Sequence, residues 1–129
     1  MEYLYYLANA SLTRRLVEYL HGEQKPRVRF VSVIHLHNGW VVNLKMKSPL
    51  NAQLDGDIKA FLNELGSPYS PPERVKKALV SLAAGQSPVE VMRRYQVVVV
   101  SHGSPQCSEI EAFRQQFVKG LGYCPPTLA

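Results

Sequence analysis

The sequence predicts an α+β fold, a small sheet with helices packed against it. Three observations carry this. Residues 27–47 hold two β-rich runs on either side of His37-Asn38-Gly39, a turn signal. Residues 96–101 contain four consecutive valines. Helical spacing, capping pairs and glycine stops mark out the remaining segments.

The elements follow in order. Residues 2–8 carry Tyr3, Tyr5 and Tyr6 and read as a strand, with a helical start as the alternative. Asn9 offers an N-cap. Leu12, Leu16 and Leu20 then recur every four residues, with Arg14, Arg15 and Glu18 between them and His21-Gly22 as a stop, so a helix is expected over residues 10–21. In the hairpin two registers compete. A two-residue Asn38-Gly39 loop pairs His37 with Trp40 and mixes both faces. A three-residue loop with Gly39 in the left-handed region pairs Leu36 with Trp40. The second is expected, because a one-residue slip moves half the apolar set into water. One face then carries Val28, Phe30, Ser32, Ile34 and Leu36 with Trp40, Val42, Leu44 and Met46. The other carries Arg27, Arg29, Val31, Val33 and His35 with Val41, Asn43, Lys45 and Lys47. Phe30 and Trp40 are thus expected to point inward together.

Ile58, Phe61, Leu62 and Leu65 form a helical stripe that Gly66 ends. Residues 67–72, rich in proline, read as a rigid connector. Ser70-Pro71-Pro72-Glu73, Ser87-Pro88-Val89-Glu90 and Ser108-Glu109-Ile110-Glu111 each have the capping-box pattern. They open helices ending near Ala84, Tyr95 and Gly120. The valine run between the last two lacks polar alternation and reads as a strand covered on both faces. The order strand, helix, strand, strand, helices, strand, helix matches the split βαββαβ or ferredoxin-like sandwich, with an extra helix pair before the last strand and a C-terminal helix. The expected strand order is 4-1-3-2, with the valine strand fourth. A three-stranded sheet flanked by helices is the alternative if residues 2–8 are helical. One domain is expected over residues 1–122, with residues 123–129 a loosely held tail.

At 129 residues the chain can bury roughly two-thirds of its unfolded surface without a disulfide or metal staple. Its composition, 46% apolar and 19% charged, is ordinary for a globular protein. No apolar run reaches bilayer-spanning length, and the N-terminus has no basic region of a secretory signal. Cys107 and Cys124 lack CxxC spacing, which argues against a zinc site or a disulfide framework, so a reducing cytoplasm is expected. The net charge of +5 suits nucleic acid, an acidic protein or an anionic surface without choosing among them.

Four chemistries are weighed on particular residues. Arg27, Arg29, His35, Lys45 and Lys47, joined on an open sheet face to Tyr3 and Tyr5, would hold phosphates and stack bases. This layout resembles an RNA recognition motif, although Val41 to Lys47 lacks the aromatics of that family's consensus octamer. Residues 84–95 are similar to the turn and second helix of transposase-type helix-turn-helix domains, but valines follow where that family has its recognition helix. Residues 97–105, with Ser101-His102-Gly103-Ser104, are similar to the strand and HGS opening of sirohydrochlorin-type chelatases. That resemblance implies a metal-handling role for His102 with Ser104 beside it. Asp55 and Asp57 are explained by the helix N-terminus, and Cys107 precedes a helix whose dipole would lower its pKa. No GxSxG, HExxH, Walker A or GxGxxG pattern is present.

The expectation is a small cytoplasmic module without catalytic machinery or cofactor, acting through protein–protein contacts and as a homodimer. The alternatives are a nucleic-acid binder using the basic hairpin face and a chelatase-like enzyme using His102.

Overall fold

The computed structural model describes residues 2–22 and 24–129. The elements are β1 (Glu2–Leu7), α1 (Ala10–Gly22), β2 (Val28–Leu36), β3 (Gly39–Met46), α2 (Ala52–Leu65), β4 (Gly66–Pro68), α3 (Glu73–Ala83), α4 (Pro88–Tyr95), β5 (Val98–Gly103) and α5 (Cys107–Leu121). Short 3-10 turns lie at Lys25–Arg27 and Pro126–Leu128. The five strands form one antiparallel sheet in the order β4-β1-β3-β2-β5.

Helices cover both faces of this sheet. Tyr3, Tyr5, Leu7, Val31, Val33, Trp40, Val42, Leu44 and Met46 face α1, α2 and α5, joined by Leu16, Leu20, Ile58, Leu62 and Ile110. Ile34 and Val41 face α3 and α4, with Val75, Leu79, Leu82, Val91, Val97 and Val99. Two cores, one on each side, therefore hold the sheet. Each buried Leu, Val or Ile contributes roughly 1.5–3 kcal/mol by leaving water.

The two-sided burial corrects the hairpin register. Leu36 pairs with Gly39 and His35 with Trp40, so the loop is His37-Asn38. An irregularity between Val28 and Phe30 leaves Arg29 unpaired in the ladder. Residues 31, 33 and 35 thus share a face with Trp40, Val42 and Leu44, while Phe30, Ser32 and Ile34 share the other with Val41, Asn43 and Lys45. Phe30 and Trp40 lie on opposite faces, against expectation. The expected register follows only where one face of the hairpin meets water, and helices cover both faces here. Gly39 is required for another reason. A Cβ there would overlap the Tyr6 ring, whose hydroxyl donates to the Asn38 carbonyl.

The valine strand is also displaced from its expected place. It lies beside β2, at the sheet edge opposite β4 and away from β1. The place beside β1 is taken by β4, part of the segment read as a connector, which pairs through Gly66, Ser67 and Pro68. Val97 and Val99 are buried, but Val98 is exposed, so coverage of this run is incomplete.

Helix ends follow the caps in part. Asn9 Oδ1 accepts from Leu12 N at 3.0 Å, and Ser87 Oγ accepts from Glu90 N at 3.2 Å, both as expected. Ser70 does not cap α3, which begins after Pro72. Each of its two following prolines holds the residue before it extended, which keeps Ser70 and Pro71 out of the helix. Ser108 lies inside α5, whose flanking residue is Gln106. Glu111 binds Arg14 and Arg114 instead of closing a box. Gly122, not Gly120, ends that helix, in the left-handed conformation at φ 77°.

The C-terminal tail is anchored, not loose. Leu128 is fully buried in the α1–α2–α5 core. The Trp40 indole N–H donates to the Thr127 carbonyl, and Arg114 Nε donates to the Leu128 carbonyl at 2.8 Å. Among the described residues no helix is long and apolar enough to cross a membrane.

Candidate interaction site

The expected basic and aromatic sheet face does not assemble. Tyr3 and Tyr5 lie under α2, with the Tyr3 hydroxyl on Asp55 and the Tyr5 hydroxyl on Asn63 at 3.0 Å. Burial and the adjacent Asp55 carboxylate push the Tyr3 phenol well above its usual range. Covered rings cannot stack bases. Lys45 is half-buried on the other face, and Arg27, Arg29 and Lys47 are exposed at the open end of the hairpin. His35 is buried near the turn, roughly 20 Å of strand away.

His102 faces the α3–α4 side. Its Nδ1 lies 2.6 Å from Ser32 Oγ, and its ring is 5.0 Å from that of Phe30. Burial lowers its pKa, which favours the neutral ring. Ser32 is fully buried, so this pair reads as a cross-strand hydrogen bond between β2 and β5. Among the described residues no group of three or more His, Cys, Asp or Glu is placed to hold a metal ion. Cys107 opens α5, but burial and then the Glu18 carboxylate push its thiol pKa up, against the lowering expected from the helix dipole. Asp55 acts within α2, where the Tyr3 hydroxyl and then Lys59, at 3.1 Å, hold its carboxyl below the usual range.

The feature that residue patterns missed lies where β5 begins. A cleft of about 490 Å³ is lined by His35, Leu36, His37, Arg74, Gln96, Val97, Val98, Phe117, Leu121, Tyr123, Pro125 and Thr127. Four of its lining residues are large apolar side chains left in water: Val98 at 40% exposure, Phe117 at 38%, Leu121 at 43% and Tyr123 at 63%. Scattered single apolar residues need no explanation, but a contiguous group marks an interaction surface.

At the back of the cleft His35 sits in an aromatic cage. Its ring is 4.9 Å from Trp40, 5.2 Å from Phe113 and 5.7 Å from Phe117. Its Nε2 has no hydrogen-bond partner among the described residues. Burial, and secondarily the charge of neighbouring His37, hold its pKa below the usual histidine range. A second cleft of about 530 Å³ lies between the sheet and α3, with Leu4, Asn43, Tyr69 and Leu79 in its walls and both Glu2 and Lys76 lining it. It contains no buried side-chain polar atom without a partner among the described residues.

β5 is an edge strand. It pairs with β2 on one side, and no described strand lies beyond it. Its six residues, Val-Val-Val-Ser-His-Gly, include no lysine, arginine, carboxylate or proline. Comparison of the chain with protein-family models, with curated proteins and with solved structures finds no match.

Proposed function

We propose that this protein is a non-catalytic binding module that acts through protein–protein contacts, and that β5 pairs with the β5 of a second copy. The observation that carries this is the uncharged, proline-free edge of β5 beside the exposed Val98, Phe117, Leu121 and Tyr123. Sheet edges in monomers are commonly blunted with lysine, proline or charge. This edge has none of these, and its one irregularity is the extra residue Val100 between the pairs Ile34–Val99 and Val33–Ser101. A chain of net charge +5 repels its own copies over most of its surface, so an uncharged strip favours self-contact. Antiparallel edge pairing also closes under a two-fold axis, where each copy offers the same patch.

The β1-α1-β2-β3-α2-β4 segment and its order β4-β1-β3-β2 support reading the framework as ferredoxin-like, with α3, α4, β5 and α5 added. On that reading the addition covers the second sheet face and supplies the new edge. Nucleic-acid binding through the hairpin is not favoured, because Tyr3 and Tyr5 are covered by α2.

Sizing by light scattering tests the proposal with Val98→Lys. The residue is exposed, so its charge disturbs the edge more than the core. The native chain is expected to run as a dimer and the variant as a folded monomer. A native chain that stays monomeric up to its solubility limit would overturn self-pairing, as would a variant that remains dimeric.

A further inference from the structure

We propose that the cleft at the start of β5 binds a small carboxylic acid with an aromatic body. The inference goes beyond self-pairing and does not rest on it. The cleft, at about 490 Å³, falls in the usual range for small-molecule sites. Its walls are mainly apolar, with two exposed aromatic residues, Phe117 and Tyr123, that suit a flat apolar partner.

The polar lining selects the head group. Arg74 and His37 are exposed at the cleft, and no aspartate or glutamate lines it. One guanidinium with one imidazole matches a single negative charge better than a phosphate's two, and a guanidinium suits a planar carboxylate. Arg74 is already oriented, since its NH1 donates to the Gln96 carbonyl at 2.7 Å. Gln96 is in turn held in place as the left-handed C-cap of α4, its N–H donating to the Met92 carbonyl at 2.9 Å. Behind these groups lies His35, nine-tenths buried with Nε2 unpartnered among the described residues. That atom is closed to solvent, so His35 serves as the floor of the cleft and the exposed Arg74 and His37 are the groups that meet the ligand.

The test uses the full chain and 4-phenylbutyrate as probe, with 4-phenylbutyramide as the uncharged control. Trp40 is the only tryptophan, and its ring lies 4.9 Å from that of His35, so its emission reports on the back of the cleft. A saturable change is expected with the acid, and the amide should bind about tenfold more weakly. Arg74→Gln should weaken the acid by about tenfold and leave the amide unchanged. Because Arg74 also ties α3 to Gln96, His37→Gln in the exposed turn serves as a second variant, with about a threefold loss expected. Absence of saturation, equal binding of acid and amide, or acid binding unaffected by both substitutions would overturn the inference. Sizing in the same buffer separates the two proposals. A monomer that binds the acid sinks only self-pairing, and a dimer that ignores it sinks only the ligand site.

Discussion

Leu128→Ala probes the C-terminal tail. Leu128 lies in the segment after α5 and is fully buried among α1, α2 and α5. Truncation removes three carbons. At about 0.8 kcal/mol per buried methylene the transfer loss is about 2.4 kcal/mol. A cavity term adds to this where the site cannot collapse, and core Leu→Ala changes span roughly 2–5 kcal/mol. The short segment after α5 has a cheaper way out, because it can lift off as a unit. Its release forfeits the Trp40 and Arg114 hydrogen bonds to the Thr127 and Leu128 carbonyls. The loss should therefore fall near the low end, at about 2–3 kcal/mol. Urea unfolding followed by Trp40 emission and by far-ultraviolet circular dichroism measures it. The emission of the folded variant should shift as well, since Trp40 loses its indole partner when the tail lifts. Pro125 and Thr127 line the cleft, so the same variant should bind 4-phenylbutyrate more weakly. A stability loss below about 0.5 kcal/mol, with unchanged emission, would refute a tail anchored through Leu128.

Two further perturbations follow from the same packing. Gly66→Ala places a Cβ against the Tyr6 backbone carbonyl, an atom that cannot move without disturbing β1. A loss of about 1–3 kcal/mol in chemical denaturation is expected, and unchanged stability would show that β4 does not lie against β1 as described. Acidification should destabilise the protein through His35 and His102, whose folded pKa values both lie below the usual 6.5. The unfolded chain takes up these protons first. Stability should thus be level above pH 6.5 and fall below it until the folded pKa values are passed. Melting temperatures recorded between about pH 7.5 and 5 should show the fall, and His35→Met should make it shallower. A protein that gains stability over that range, or a variant with an unchanged slope, would contradict the buried neutral histidine.

Much of the secondary structure was legible because it depends on local chemistry. The leucine spacing of α1, the Ile58–Leu62–Leu65 stripe of α2 and the Ser87–Glu90 cap of α4 each specify an element within a few residues. The hairpin register was not legible from the turn alone, since it depends on what covers each face. Val31, Val33 and Ile34 are all buried, as are Val41 and Val42. Such near-continuous apolar runs are the mark of a sheet covered on both sides. β4 escaped notice because three residues ending in proline carry almost no strand signal.

The interaction site was legible only in fragments. His35 was singled out, but as part of a basic surface, and its aromatic cage comes from α5 and β3. The cleft draws on α3, β2, the start of β5, the end of α5 and the tail, segments that only tertiary packing brings together. The valine run at residues 96–101 did predict a strand, which the structure places at Val98–Gly103. It did not show that one side of that strand would be left without a partner.

The most direct test of the central proposal is amide hydrogen exchange along Val98–Gly103 at high and low chain concentration. If β5 pairs with a second copy, its outward-pointing amides are protected at high concentration and lose that protection on dilution, while the amides of β3 stay protected throughout. Protection of β5 that does not change with concentration would contradict the account.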